Sequence, residues 1–247
     1  MLRPQAQSPK QHDANARLSR RHHARRKLGS LRQQLHEPSL LILLGVQIVL
    51  IFLLGPAISL GMPFIQDIAP AVFLPVVLVV VLASNKFWPA AIVVGSLLAD
   101  AVAISYRIYS DTIVIDYISA AATIFSVAAL TWVVAGTVFS EGRMNVLRVT
   151  GAIVMYLNAA ILFTALYRLI ARVAPGSFTG IAVDFDRLKS PGDLMYFSMS
   201  TLTTVGYGDI APVNPIARSL ANLEALIGQL YPAIIVARIV TLYTPKK

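Results

Sequence analysis

The sequence predicts an all-α membrane protein with six transmembrane helices and one shorter, re-entrant helix. Three observations carry this. Of 247 residues, 56% are hydrophobic and only 13% charged, too few charges to cover a water-soluble domain of this length. The apolar residues gather into runs of about 20, each able to cross about 30 Å of hydrocarbon. One connection, Pro175 to Pro215, is too long for a turn and holds a second apolar stretch ending in Gly206-Tyr-Gly208.

Composition also removes whole classes of chemistry. The chain has no cysteine, so disulfides and thiolate metal sites are excluded. Its four histidines, His12, His22, His23 and His36, all precede the first apolar run, which excludes a histidine metal site within the membrane. No nucleophile–base set, metal cluster or phosphate loop is present, which argues against an enzyme. The net charge of +9 belongs mostly to residues 1–38, where nine Lys or Arg face two acids, Asp13 and Glu37. The basicity is therefore a property of a tail and implies no nucleic-acid partner.

The elements follow in order. Residues 1–38 read as a basic cytoplasmic tail, since a cleaved signal would place its basic residues directly before the apolar stretch. Leu28, Leu31 and Leu35 share one helical face within it. The dense patch Arg20-Arg-His-His-Ala-Arg-Arg-Lys27 either binds anionic lipid headgroups, at about 1 kcal/mol per cation, or serves only as a topology signal. The first span is about Leu40 to Leu60, closed by Gly61-Met-Pro63, and the second about Ile68 to Ser84, with Pro70 and Pro75. The third is about Phe87 to Ile108, and the fourth about Ile113 to Phe139, ended by Ser140-Glu-Gly-Arg143. Together residues 39–142 form an expected four-helix peripheral domain. The fifth span is about Val146 to Val173 and the last about Ile216 to Tyr243; with the loop between them they make an expected pore domain over 143–247. The chain finishes Thr244-Pro-Lys-Lys247, with no expected ligand-binding domain after the last span.

Six spans put both termini on one side, and the basic tail sets that side as cytoplasmic. Lys86, Arg143, Arg148, Lys246 and Lys247 then fall inside, with Asp67, Asp111, Asp184 and Asp186 outside beside Arg107, Arg187 and Lys189. The expected location is the cell (inner) membrane. The 175–215 loop then enters from outside. Pro191-Gly192 opens its apolar stretch, with Asp193 as the expected N-cap. About 11 residues make roughly 16 Å of helix, too short to span, and such backbone survives at membrane depth only when buried in protein or lining water.

The stretch Thr203-Thr-Val-Gly-Tyr-Gly-Asp209 resembles the selectivity filter of tetrameric potassium channels. Gly206 and Gly208 can take left-handed backbone angles, and alternating conformations turn successive carbonyls toward one axis. The resemblance implies a homotetrameric, potassium-selective pore in which four such strands replace the ion's water shell with oxygen. Thr204, Val205, Gly206 and Tyr207 supply the oxygens, with Gly208 completing the filter and Thr203 and Asp209 supporting it. The negative end of the short helix faces the cavity below. The same resemblance puts a gating bend at Gly228 and Pro232 and turns Gln229, Pro232 and Val236 toward the cavity. Alternatively, Gly228 permits close packing on the short helix.

The stretch from Arg148 to Thr244 is similar in detail to a group of bacterial six-span channel proteins. The features are Gly151-Ala-Ile-Val-Met-Tyr156, Ala174-Pro-Gly176, Tyr196-Phe-Ser198 and Leu223-Glu-Ala-Leu-Ile-Gly-Gln-Leu-Tyr231. One departure is Tyr196-Phe197, where many potassium channels carry paired tryptophans. A rival class, the four-loop potassium transporter, needs four such loops in one chain, and this chain has one. The remaining rival is a non-conducting or regulatory membrane sensor subunit.

A voltage sensor needs a row of cations in the fourth span, each contributing about 2.3 kcal/mol per 100 mV. From Ile113 to Phe139 there is no Lys or Arg, so no standard sensor is expected. Two intramembrane charges need partners. Arg168 and Glu224 lie about two turns from the outer ends of their spans, which predicts an ion pair behind the filter; the alternative is that Glu224 faces the cavity and concentrates cations.

Overall fold

The computed structural model describes residues 39–53, 75–81, 87–107, 113–139, 146–181, 183–184, 187–188 and 191–243. The basic tail, residues 54–74 of the first two expected spans, the Ser84–Lys86 turn, Ser140–Arg143, Asp186, Lys189 and the final Thr244–Lys247 lie outside the described residues.

Seven helical segments and four two-residue strands are described. Helices α1 (Ser39–Leu53) and α2 (75–81) precede α3 (Phe87–Arg107), α4 (Ile113–Val138) and α5 (Val146–Val173). After α5 come strands β1 (Phe178–Thr179), β2 (Val183–Asp184) and β3 (Arg187–Leu188), then α6 (Pro191–Leu202), β4 (Ala211–Pro212) and α7 (Pro215–Tyr243). Among the described residues, three helices are long and apolar enough to cross a membrane: Tyr117–Val138, Val146–Val173 and Pro215–Thr241. Ser39–Leu53 and Phe87–Ser96 are shorter apolar helices.

Apolar spacing explains how α4 packs. Val127, Leu130, Val134 and Val138 recur every three or four residues and are buried, as one helical face requires. Phe125 and Trp132 project from the opposite side, 60% and 71% exposed. The buried face joins Leu40 and Leu43 of α1, Val77, Val80 and Val81 of α2, Val93 of α3, Ala152 and Val154 of α5 and Ile235 of α7 in one core. A polar chain crosses it. Gln47 Nε2 donates to Asn158 Oδ1 at 2.6 Å, and Asn158 Nδ2 donates to Thr131 Oγ1 at 3.0 Å. Buried amides of this kind tie α1, α5 and α4 together across apolar surroundings. At the end of α4 the guanidinium of Arg238, from α7, lies 4.8 Å over the Phe139 ring.

A second core gathers around α6: Phe163 and Tyr167 of α5, Phe178 of β1, Leu194 and Phe197 of α6, Ile210, and Ala217 of α7. Here α6 is held between α5 and α7. It begins at Pro191, the first helical position that the fixed proline φ suits. Asp193 therefore stands in the first turn rather than before the helix, where it complements the N-terminal dipole instead of capping it. Helix α7 has the cap expected of Asn: Ile216 N–H donates to Asn214 Oδ1 at 2.8 Å, and Pro215 follows as first helical residue.

Candidate functional site

The site is the 203–209 segment on the C-terminal end of α6. Its backbone alternates. Thr204, Gly206 and Gly208 have φ of 59°, 58° and 82°, and Thr204 is the one non-glycine with positive φ among the described residues. Glycine reaches this region at little cost; a β-branched residue does not. Thr204 is held there by its surroundings.

The hydrogen bonds show which way the peptide planes turn. Val205 N–H and Gly206 N–H both donate to the Ser200 carbonyl, at 2.9 Å and 3.2 Å. Tyr207 N–H points to Ser200 Oγ at 3.4 Å. In a trans peptide the carbonyl points opposite to the N–H. The carbonyls of Thr204, Val205 and Gly206 are therefore directed away from α6. Residues 203–209 are all exposed in the single subunit, so this row of oxygens looks onto open space. Ser200, 9% exposed, is the organising residue, and sequence reasoning missed it. It stands among other hydroxyl residues, Ser198 and Thr201, at the end of α6, so the sequence alone does not single it out.

The four terminal carbonyls of α6 have no helical partner of their own, yet each is met. Met199 O accepts from Thr203 N–H at 3.0 Å and Thr201 O from Thr204 N–H at 2.9 Å, while Ser200 O takes the two donors already named. Thr203 Oγ1 adds a bond to Met199 O at 2.7 Å. Leu202 O accepts from the Tyr156 hydroxyl at 3.1 Å.

Behind the segment, Tyr196 and Phe197 divide the work. Tyr196 stacks on Tyr207 with centroids 5.9 Å apart and planes at 10°, within electrostatic reach of the Asp209 carboxylate. Phe197 turns inward, edge-on to Tyr167 at 5.1 Å and to Phe178 at 5.5 Å. The outer end is braced by β1 pairing antiparallel with β4, Phe178 opposite Pro212 and Thr179 opposite Ala211. A Cβ on Gly180 would stand 1.9 Å from the Asp209 carbonyl oxygen, so only glycine lets β1 approach so closely. Arg218 Nε donates to the Pro212 carbonyl at 3.0 Å.

The expected Arg168–Glu224 pair is replaced by a different arrangement. Glu224 is 0% exposed. Its Oε2 accepts from the Tyr167 hydroxyl at 2.7 Å, and its Oε1 accepts from Ser198 Oγ, which also lies 2.9 Å from the Ala160 carbonyl. Arg168 is exposed on α5; one residue is a 100° rotation on a helix, and it is Tyr167 that faces α7. The alternative for Glu224 also fails, because a side chain without surface in the single subunit cannot line a cavity between subunits. Gln229, Pro232 and Val236 do lie on the uncovered face of α7. Gly228 is buried, and a Cβ there would meet the Leu202 carbonyl oxygen at 1.8 Å. The close-packing alternative for Gly228 is thus realised in the structure, while α7 continues as one helix through Pro232.

Residues 113–244, more than half of the chain, match the family model described as "Ion channel". Over 94 residues the chain is 34% identical to the inward rectifier potassium channel Kirbac3.1 of Paramagnetospirillum magnetotacticum, covering 36% of this chain and 28% of that one. Over 55 residues it is 49% identical to Protein LctB of Geobacillus stearothermophilus and 47% identical to Protein LctB of Bacillus caldotenax, in each case 22% of this chain and 40% of the relative. The matches thus span between about a quarter and two fifths of the length of these curated relatives. No solved structure matches the chain. With a row of outward carbonyls between two membrane-capable helices and a family match across both, the chain belongs to the ion channel family and is not an enzyme.

Proposed function

We propose that the protein is a potassium-selective channel, a homotetramer in which residues 203–209 of four subunits line a common axis. The observation that carries this reading is the convergence of three successive N–H groups on Ser200. It sends the carbonyls of Thr204, Val205 and Gly206 to the uncovered side, the arrangement by which rings of oxygen replace an ion's hydration shell. Tyr207 contributes the next oxygen toward the outside, and Gly208 and Asp209 close the strand. Thr203 supports it through its bond to the Met199 carbonyl, and Asp209 from beside Tyr196.

On this reading α6 is the pore helix, α5 the outer helix and α7 the inner helix. The exposed stripe of Gln229, Pro232 and Val236 faces the cavity or a neighbouring subunit. Pro232 lacks an N–H for the Gly228 carbonyl, so the 228–232 turn is the candidate bend for gating. The fourth helix carries no Lys or Arg, so gating proceeds without a standard voltage sensor. The protein sits in the cell membrane with both termini cytoplasmic, and its basic tail contacts anionic headgroups.

The test is the reversal potential of purified protein in planar bilayers, with potassium on one side and sodium on the other. A value near the potassium equilibrium potential, with current lost in Gly206→Ala, supports the reading. A value near zero overturns potassium selectivity. A single-subunit mass by light scattering in detergent overturns the tetramer.

A further inference from the structure

The end of the pore helix is held by a part of the molecule that the proposed function leaves unused. Met199, Ser200 and Thr201 have their carbonyls bonded by the filter strand itself. The Leu202 carbonyl is bonded from elsewhere, by the Tyr156 hydroxyl of α5. Leu202 is fully buried, so losing that donor leaves a carbonyl unsatisfied away from water.

Tyr156 is itself held by α7. Its ring stacks on Tyr231, centroids 5.9 Å apart and planes at 26°. The Tyr231 hydroxyl donates to the Ala152 carbonyl at 2.8 Å, one turn before Tyr156 on α5. Each tyrosine thus comes from one helix, lies against the other's ring and bonds a backbone carbonyl across the junction. Tyr231 belongs to the same turn as Gly228 and Pro232. Gly228 abuts the Leu202 carbonyl oxygen, with no room for a Cβ, and Pro232 deprives the Gly228 carbonyl of its helical partner. The turn of α7 that lacks a helical hydrogen bond at Pro232 is therefore the turn that touches Leu202, directly through Gly228 and indirectly through Tyr231 and Tyr156. Thr203 and the left-handed Thr204 follow immediately.

We infer that Tyr156 and Tyr231 are filter-positioning residues: together they hold the Leu202 carbonyl and transmit the position of the inner-helix turn 228–232 to the cavity end of the filter. This rests on the reading of 203–209 as a selective filter. The tyrosines touch no ion; they act through Leu202 on the backbone of Thr203 and Thr204. A merely structural pair would change assembly and leave the permeability ratio alone.

The experiment compares wild type, Tyr156→Phe, Tyr231→Phe and the double variant in planar bilayers under a potassium–sodium gradient. Phenylalanine keeps each ring and its stacking and removes only the hydroxyl. A hydrogen bond of this class corresponds to a factor of about three to ten. The relative sodium permeability of Y156F is expected to rise by about that factor, with mean open time shortened and the tetramer peak unchanged on size exclusion. Y231F is expected to give a rise of about twofold, and the double variant no more than Y156F alone, since both act through one carbonyl. A selective wild type with an unchanged permeability ratio in Y156F overturns this inference alone. A non-selective wild type overturns the filter reading, and this inference with it. Should Y156F fail to assemble, Y231F decides by the same ratio: a rise supports the coupling and no change overturns it.

Discussion

The two helices flanking α6 make an instructive pair. Helices α5 and α7 have 28 and 29 residues, and mean hydropathies of 1.9 and 1.6 over their apolar windows. Yet 56% of the α5 window is buried within the subunit and only 17% of the α7 window. Both touch α6, so contact with α6 does not account for the gap. Helix α5 is covered on its other side by α4 and α1, through Gly151, Ala152 and Asn158. Helix α7 leaves Leu223, Leu226, Leu230, Ile234, Val236 and Val240 between 48% and 61% exposed. Equal greasiness therefore conceals different partners. One helix is a wall between two cores of the same chain; the other, on the proposed tetrameric reading, completes its packing only against lipid and further copies.

That contrast can be broken most forcefully at Gly228, where α7 makes its closest approach to α6. Gly228→Ala places a Cβ within 1.8 Å of the Leu202 oxygen and must push α7 off. Overpacking of this kind costs about 1–3 kcal/mol or more. Loss of the assembled species on size exclusion after mild heating is the expected result, and a fully stable variant carrying normal current would show that α7 is free to shift there.

Glu224→Ala tests the buried side of the same helix. It strands the Tyr167 hydroxyl, at about 1–3 kcal/mol, while Ser198 keeps the Ala160 carbonyl as acceptor, so the melting temperature should fall. Single-channel conductance should be unchanged in the surviving protein, because the carboxyl has no surface toward a cavity. Glu224→Gln keeps an acceptor for Tyr167 and should lose less. A conductance drop without a stability loss would restore the cavity role.

The outer wall is probed more gently at Asn158, which joins α1 to α4. Asn158→Leu removes two interhelical bonds, each worth on average about 0.6 kcal/mol in membrane proteins. A modest fall in thermal stability with unaltered ion selectivity is expected; altered selectivity would mean that the two cores are coupled through α5. The smallest effect should come from Gln47→Leu, which removes one of those bonds and the buried Oε1 that has no partner. Stability is expected to change by about 1 kcal/mol at most.

Much of the candidate site is legible without a structure because it is built from adjacent residues. Gly206 and Gly208 permit left-handed angles, and a backbone site needs no distant side chain. The fourth, fifth and last spans also come through as expected helices, since long apolar runs bounded by Pro, Gly and Asn leave few alternatives. The Glu224 error has a different origin. Depth along two helices is readable from rise per residue, but which of Tyr167 and Arg168 faces α7 depends on rotation about the axis. An opposite charge was the more obvious partner, and two hydroxyls took its place.

What the sequence determined by itself is therefore local and periodic: helices long and apolar enough for a membrane, a short helix between two of them, and a strand whose glycines can alternate. What only the tertiary structure decided are the contacts made across helices. Ser200 gathers the N–H groups of 205–207, Tyr156 caps Leu202, Gly180 admits β1 to Asp209, and Tyr167 with Ser198 satisfies Glu224. The physical reason is that a buried polar group must find a partner wherever packing places one, and packing sets the rotation and approach of each helix, which no single-helix pattern contains.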